Sequence, residues 1–235
     1  MPGKPDGRAV HLFVSLGALL LITGISGVPL GAQTNGVGTA AGIFRFPLAP
    51  ETRPRFNEIC ALLAGHPVIK GTFEQTKTIL RLNRSLISKG NFIITAEQGM
   101  VWETLTPFPS TIAVGKDYLI QSNPSGRKTK LEASGNETFM RLAETIRAVF
   151  SGNSQKLADN FEIYFTEQEG AWLLGLIPSE QSIRSFAARI LMNGDSVIRS
   201  IILYEQNGDV IRYTLSNHIF PGALTLHEKA LFSVQ

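Results

Sequence analysis

The amino-acid sequence predicts an α+β protein in which about ten antiparallel strands form one large curved sheet, accompanied by two main helices. Three observations support this prediction. Short apolar segments separated by glycine, asparagine and proline recur through most of the chain, as they do in antiparallel sheets. Two Asn-Gly pairs, Asn193-Gly194 and Asn207-Gly208, are strong hairpin signals. Two other segments instead repeat apolar residues with the period of an α-helix.

The first 32 residues have the pattern of an export signal. Lys4 and Arg8 give a positive start, Leu12 to Ile25 form an apolar core, and small residues around Gly31-Ala32 offer a cleavage site. The apolar core is shorter than the roughly 20 residues that span a bilayer. We therefore expect residues 1–32 to be a cleaved signal peptide, with an uncleaved N-terminal anchor as the alternative.

The chain after the signal divides into a linker and one domain. Residues 33–50 are rich in Gly, Thr, Ala and Pro without periodicity, which indicates a flexible linker. The glycines from Gly36 to Gly42 imitate a dinucleotide-binding fingerprint, but no strand precedes them. Residues 51–235 have the length of a single domain.

The first helix is predicted from Arg53 to Ala64, because apolar residues recur there at helical spacing. Gly65-His66-Pro67 ends it, since proline cannot continue a helix. The apolar face consists of Phe56, Ile59, Cys60 and Leu63.

Strands are predicted wherever short apolar runs lie between turn residues. The last of them is expected at an edge of the sheet. The predicted strands are Val68–Leu80, Ser85–Ala96, Met100–Leu105, Ser110–Val114, Tyr118–Ser122, Phe161–Thr166, Ala171–Ile177, Phe186–Met192, Val197–Glu205, Val210–Asn217 and Leu224–Val234.

A second main helix is predicted to start near Asn136, a plausible N-cap, and to end at Gly152-Asn153. A short helical turn is expected around Ser179 to Arg184. The apolar stripe of the second helix consists of Phe139, Leu142, Ala143, Ile146, Val149 and Phe150.

Composition argues against several classes of function. The net charge is +3, and loss of the leader removes two positive charges and one negative charge, leaving +2. That is too little for a non-specific nucleic-acid surface. The basic residues Arg127, Lys128 and Lys130 are expected in a loop, where a solvated turn is favoured over a site for acidic lipid headgroups or a partner.

The residues that commonly carry chemistry show no recognisable pattern. Cys60 is the single cysteine, which cannot form an internal disulfide, and it is predicted to be a buried apolar residue. The histidines are scattered without metal-ligand spacing. No nucleophile elbow, phosphate loop or carboxylate pair is visible. The sequence therefore predicts no metal, no cofactor and no enzyme.

Several short motifs follow one another in a particular order behind the export signal. Phe73-Glu74-Gln75 lies on the first predicted strand, followed by Gly90, Trp102 and Pro107, and later by Trp172-Leu173-Leu174. This order resembles the periplasmic outer-membrane lipoprotein carriers, the LolA-like family. In that family an Arg-Pro pair before the tryptophan helps to latch a helical lid.

The latch pair is absent, because alignment on Gly90 and Trp102 places Ala96 and Glu97 there. The chain therefore resembles a divergent branch of the LolA-like family. The resemblance implies a strongly curved, half-closed antiparallel sheet of ten to eleven strands, capped by helices around an internal apolar cavity.

The resemblance also implies a function in the periplasm of a Gram-negative bacterium. A monomeric carrier would shield the acyl chains of a lipoprotein, lipid or glycolipid and carry it from an inner-membrane exporter to an outer-membrane acceptor. Large aromatic residues and methionine suit such a cavity, although ordinary core packing is the alternative for each candidate. The candidate lining residues are Phe73, Phe92, Ile94, Met100, Trp102, Phe139, Met140, Leu142, Ile146 and Phe150.

Two other functions fit the same sequence. One is a periplasmic lipid-sensing module that regulates a membrane protein, and the other is a non-catalytic accessory subunit of a lipid transport or modification system. A carrier must release its ligand to acceptor membranes, whereas a sensor need only change its partner. An accessory subunit would have no continuous cavity.

Overall fold

A single antiparallel sheet of eleven strands forms the body of the domain, as the sequence predicts. The computed structural model describes residues 42–116, 118–132, 148, 154–185 and 187–233. The predicted signal peptide and most of the second predicted helix lie outside the described residues.

The observed strands agree with the predicted ones to within a few residues over most of the chain. The strands are β1 (Val68–Ile79), β2 (Arg84–Thr95), β3 (Gly99–Thr106), β4 (Ser110–Val114), β5 (Tyr118–Ser122), β6 (Lys128–Glu132), β7 (Phe161–Gln168), β8 (Ala171–Pro178), β9 (Arg189–Gly194), β10 (Ile198–Tyr204) and β11 (Val210–Ile219). The helices among the described residues are α1 (Arg53–Leu63), α2 (Ser154–Asn160), α3 (Gln181–Arg184) and α4 (Leu226–Ala230), with single 3₁₀ turns at Ile43–Arg45 and Leu80–Leu82. None of these helices has both the length and the apolar character needed to cross a bilayer.

The sheet consists of two meanders joined at its centre. The strand order is β6-β5-β4-β3-β2-β1-β11-β10-β9-β8-β7, with antiparallel neighbours throughout. The first strand therefore pairs with the last one, for example Phe73 opposite Leu215 and Gln75 opposite Tyr213. Among the described residues, the edge strands are β6 and β7, so the sheet is open.

The two faces of the sheet carry separate apolar clusters. The face that α1, α2 and α3 cover, here named the inner face, holds the largest cluster, which includes Phe92, Trp172 and Leu215. Side chains alternate between the faces along each strand. The outer face consequently holds two smaller clusters, one around Leu191 and Ile202 and the other centred on Val101, Ala113 and Ile120.

Helix α1 lies where the sequence predicts it and has the predicted apolar face. Pro54 lies in its first turn, where the missing N–H has no cost. Phe56, Ile59, Cys60 and Leu63 are buried against the inner face. Burial raises the pKa of Cys60 to about 11, so its thiol stays protonated, in agreement with the predicted role as a small apolar residue.

The end of the predicted linker is packed on the sheet. Ile43 is only 1% exposed and lies in the outer cluster with Leu191. The carbonyl of Phe46 accepts a hydrogen bond from the N–H of Phe165, and the N–H of Leu48 donates to the carbonyl of Ile163. This segment therefore covers the free edge of β7, which would otherwise expose unpaired backbone groups.

The prediction of an edge strand from Leu224 to Val234 is wrong, because this segment contains helix α4. The Thr225 hydroxyl accepts from the N–H of Glu228, whose carboxylate accepts from the N–H of Thr225, so a capping box starts the helix. Phe232 packs into the outer cluster of Val101, Ala113 and Ile120. An ion pair between Lys70 and Glu228 ties α4 to β1.

The prediction of a basic loop after Gly126 is also wrong, since Lys128 and Lys130 lie on the edge strand β6. The Lys128 ammonium donates to the carbonyls of Ala230 and Ser233, at 2.9 and 2.8 Å. Lys130 Nζ lies 5.1 Å from the ring centre of Tyr118. These lysines therefore hold the C-terminal segment and the strand edge, and only Arg127 occupies a turn.

Candidate functional site

Five of the predicted cavity residues lie together on the inner face, on the neighbouring strands β1, β2 and β3. Phe92 is paired with Trp102, and Ile94 with Met100, while Phe73 lies on the adjacent strand β1. Phe73, Phe92, Ile94 and Met100 are buried, and Trp102 is half-buried. The side chains thus form one continuous apolar surface with its tryptophan partly accessible.

Trp102 stacks on two phenylalanines at once. Its ring centre is 4.4 Å from that of Phe73 with an interplanar angle of 27°, and 5.9 Å from that of Phe92 at 21°. Stacked aromatic pairs at such separations contribute about 1 kcal/mol each beyond their buried area. The stack therefore holds the indole against the sheet.

Two residues of β11 complete this aromatic cluster, which we define as Phe73, Phe92, Trp102, Tyr213 and His218. The Tyr213 ring lies 5.3 Å from Trp102 at 88°, and the His218 ring lies 5.6 Å from Phe92 at 64°. Sequence reasoning missed both residues. The alternation of Ile211, Tyr213 and Leu215 was a signal for the buried face, but only the β1–β11 pairing places Tyr213 beside Phe73.

Two glycines make room for these rings. A Cβ atom at Gly90 would lie 2.8 Å from Cε1 of Phe73 and 1.9 Å from the carbonyl oxygen of Glu103. A Cβ atom at Gly71 would lie 2.7 Å from the ring of Phe92. The glycine that matches the family pattern is thus explained by close approach, because an aromatic ring covers its backbone.

A second apolar feature lies on the other half of the inner face, between α1, α2 and strands β7 and β8. It is a small pocket with a free volume of about 10 Å³, close to the space of one water molecule. A pocket of this size does not accommodate an acyl chain. Its lining residues are Phe56, Ile59, Cys60, Leu63, Leu157, Phe165, Trp172 and Leu174.

The other five predicted cavity residues, Phe139, Met140, Leu142, Ile146 and Phe150, lie outside the described residues. Ala148, from the same predicted helix, is described. It is helical and 5% exposed, and it belongs to the inner-face cluster.

The position of the family latch falls in the turn between β2 and β3, where Ala96 and Glu97 lie. A different arginine joins a helix to the sheet. Arg55 of α1 donates two hydrogen bonds of 2.7 Å to the carboxylate of Glu167 on β7. These bonds raise the pKa of Arg55 and lower the pKa of Glu167. The fork-shaped contact fixes the orientation of α1 over the inner face.

Burial is the main electrostatic influence on the aromatic cluster. It raises the pKa of the Tyr213 hydroxyl, with a smaller contribution from Glu205. It lowers the pKa of His218, with a further contribution from Arg199. The buried Nδ1 atom of His218 has no hydrogen-bond partner among the described residues. Both rings are therefore neutral at neutral pH and suit apolar contacts.

The shift at His218 predicts a pH dependence of folding. Its folded pKa lies below the unfolded value of 6.5, so the unfolded chain binds more protons in the window between the two. The contribution of His218 is present above the unfolded pKa and is lost as pH falls through the folded pKa. We expect urea unfolding to show a larger loss of stability from about pH 7.5 to about pH 5 in the native protein than in His218→Gln. Equal losses would show that this imidazole is as solvated in the native state as in the unfolded one.

No group of three or more His, Cys, Asp and Glu residues in the described part of the chain could hold a metal ion. The described features that stand out on the inner face are apolar: the aromatic cluster and the small pocket. The aromatic cluster is the feature that can contact an apolar ligand.

Several solved structures match this chain at low sequence identity and with TM-scores below 0.5. A LolA superfamily protein from Nitrosomonas europaea has 9% identity and a TM-score of 0.45, covering 77% of this chain and 97% of that one. A putative outer membrane lipoprotein-sorting protein domain from Vibrio parahaemolyticus has 11% identity and a TM-score of 0.40, covering 77% and 99%. The MucA/MucB complex of Pseudomonas aeruginosa has 10% identity and a TM-score of 0.46, covering 77% and 61%.

No curated protein sequence matches the chain. The family model described as outer membrane lipoprotein carrier protein LolA matches residues 65–226. That range is more than half of the 235 residues and contains all eleven strands. The protein with this open antiparallel sheet and its aromatic inner face therefore belongs to the LolA family.

Proposed function

We propose that this protein is a periplasmic carrier that shields the acyl chains of a lipoprotein or another lipid and transfers it from the inner to the outer membrane. The observation that carries the proposal is the match to the lipoprotein-carrier family over residues 65–226, which contain the whole sheet. The export pattern of residues 1–32 supports the periplasmic location.

The physical requirement of this task is a water-free surface for an acyl chain. A chain of about sixteen carbons costs on the order of 12 kcal/mol to keep in water, at about 0.8 kcal/mol per methylene. The inner face offers aromatic side chains and Met100, whose flexible thioether adapts to irregular shapes. In this proposal, the partly accessible ring of Trp102 is the point at which the cargo first meets that face.

The pocket between α1, α2 and strands β7 and β8 holds about 10 Å³, so in this proposal the cargo enters elsewhere on the inner face. In this proposal, the predicted helix with Phe139, Ile146 and Phe150 is the lid that moves. Residues of this lid and of the aromatic cluster would then contact the acyl chain from opposite sides. The exporter and the acceptor would load and empty the carrier by moving that lid.

The test is to express the full chain with its own leader, to purify the protein from the periplasmic fraction and to record native mass spectra followed by lipid extraction. Co-purified lipid or lipoprotein supports a lipid-binding function and identifies the cargo class. A protein that is lipid-free and that also fails to bind an added fluorescent fatty acid contradicts the proposal.

A second step separates the carrier from a sensor. Loaded protein is mixed with outer-membrane vesicles that retain the acceptor, and transfer of the lipid is followed over time. Transfer to the vesicles supports the carrier. Binding without any transfer would indicate a lipid-sensing regulatory module, and a protein that never binds lipid would fit a non-catalytic accessory subunit.

A further inference from the structure

The hairpin between β1 and β2 ends in a tip with two exposed leucines. The tip consists of the 3₁₀ turn Leu80–Leu82 followed by Asn83. Leu80 is 64% exposed and Leu82 is 63% exposed. Neither side chain is buried by the sheet, although leucine is among the residue types most often buried.

The tip is held in place by hydrogen bonds. Asn83 has the left-handed conformation, with φ 46°, and its N–H donates to the carbonyl of Leu80. The N–H of Leu80 donates to Oδ1 of Asp209 at 2.9 Å, and Asp209 is itself buried in the β10–β11 turn. These bonds hold the backbone of the tip while both leucine side chains remain in solvent, although burial of a leucine side chain is favourable.

The hairpin that carries these leucines is basic. Residues 75–96 contain two lysines and two arginines but no acidic residue. Lys77 pairs with Glu205, and Lys89 pairs with Glu74. Arg81 and Arg84 are exposed and make no ion pair among the described residues, so two free positive charges flank Leu82 at the tip.

The neighbouring turn adds more apolar surface at the same end of the sheet. Lys89 of β2 is paired with Thr106 of β3, so the β3–β4 turn with Phe108 lies alongside the hairpin. Phe108 is 52% exposed, and Leu105 and Ile87 are exposed as well. Exposed apolar side chains are thus present beside the hairpin as well as at its tip, where the two arginines lie.

We propose that the β1–β2 tip docks on the surface of a membrane containing anionic phospholipids, with Leu80 and Leu82 inserted at the level of the headgroups and Arg81 and Arg84 contacting lipid phosphates. Apolar side chains beside free basic residues are the chemistry that binds such an interface. An uncharged groove on a partner protein could bind the two leucines, but it would give the two arginines no negative charge to contact. The inference goes beyond the proposed carrier function and does not depend on it, since docking requires no cargo.

The test is co-sedimentation of the cargo-free protein with vesicles of phosphatidylcholine alone or with roughly one third phosphatidylglycerol. We expect preferential binding to the anionic vesicles. Arg81→Gln with Arg84→Gln should weaken that binding by roughly fivefold for each arginine and have little effect on neutral vesicles. Leu80→Ser with Leu82→Ser should weaken binding to the anionic vesicles by about tenfold.

The chain provides a matched control in Leu226, which is 87% exposed on α4; Glu228 of this helix pairs with Lys70 near the start of β1, away from the hairpin tip. Leu226→Ser should bind vesicles like the native protein. Circular dichroism melts check that each variant is folded, and binding of a fluorescent fatty acid in solution shows whether the cargo site is intact, independently of docking.

Three results would overturn the proposal. The native protein could show no preference for anionic vesicles, in which case a protein partner becomes the better occupant of the tip. The leucine double variant could bind as well as the native protein, which would reduce the contact to charge alone. Leu226→Ser could lose as much binding as the tip variant, which would make the effect non-specific. A failure of fatty-acid binding with vesicle docking intact would instead contradict the carrier function and leave the docking inference standing.

Discussion

Gly90→Ala is expected to lower the free energy of unfolding by about 3 kcal/mol or more. The new Cβ atom would lie 1.9 Å from the carbonyl oxygen of Glu103, a backbone atom that cannot rotate away, and 2.8 Å from the ring of Phe73. Relief requires β2 and β3 to separate at the bulge where Lys89 and Gly90 shift register. Urea unfolding measures this loss of stability as a lower midpoint concentration. The slope of the unfolding free energy with urea concentration should stay unchanged.

Gly222→Ala is the control for this substitution. Apart from its two chain neighbours, no residue has a heavy atom within 4 Å of a Cβ at Gly222, so the stability of this variant should change by less than about 0.5 kcal/mol. If the two variants lose the same stability, then β2 and β3 adapt locally and the close packing of Phe73 on Gly90 does not constrain the sheet.

Trp102→Ala is expected to weaken fatty-acid binding by about tenfold or more, because the variant removes the half-buried ring proposed to meet the cargo. The variant should still fold. Trp102 stacks on Phe73 and Phe92 but remains partly solvent-accessible, so its removal costs on the order of 2 kcal/mol of stability. Titration with a fluorescent fatty acid measures the affinity, and a thermal melt measures the stability.

The second tryptophan of the chain is the matched control. Trp172 is 1% exposed, and its Nε1 atom donates to the carbonyl of Asp195 at 2.7 Å. Trp172→Phe keeps an aromatic ring in the core and is expected to cost about 2–3 kcal/mol of stability, from the lost hydrogen bond and from the cavity that the smaller ring leaves. Its fatty-acid affinity should stay within about twofold of the native value. Unchanged affinity in Trp102→Ala would remove the aromatic cluster from the proposed cargo site.

Local patterns were sufficient for most elements of this fold. The apolar spacing of Phe56, Ile59, Cys60 and Leu63 identified α1, because helical periodicity is a property of the segment itself. Turn residues identified most hairpins in the same way. The order of short motifs identified the family, and five of the ten proposed cavity residues lie side by side on the inner face.

Local patterns failed where a distant part of the chain determines the outcome. Residues 224–234 were predicted as a strand because apolar residues recur there. The capping box of Thr225 and Glu228 is a local helix signal that this prediction missed, and the packing of Phe232 in the outer cluster around Val101 is the distant contribution. Lys128 and Lys130 were predicted in a solvated loop, yet pairing with β5 makes this segment a strand. Carbonyl groups near the C-terminus also accept hydrogen bonds from the Lys128 ammonium.

By itself, the sequence determined that this protein is an antiparallel-sheet member of the lipoprotein-carrier family, because strand, turn and helix signals act within a few residues of one another. The tertiary structure decided which strands meet and what lies between them. The pairing of β1 with β11 joins residues that are far apart in the chain, and it places Tyr213 and His218 beside Phe73 and Phe92. It also placed Leu80 at an exposed tip, where its N–H donates to Asp209, a residue 129 positions away in the chain.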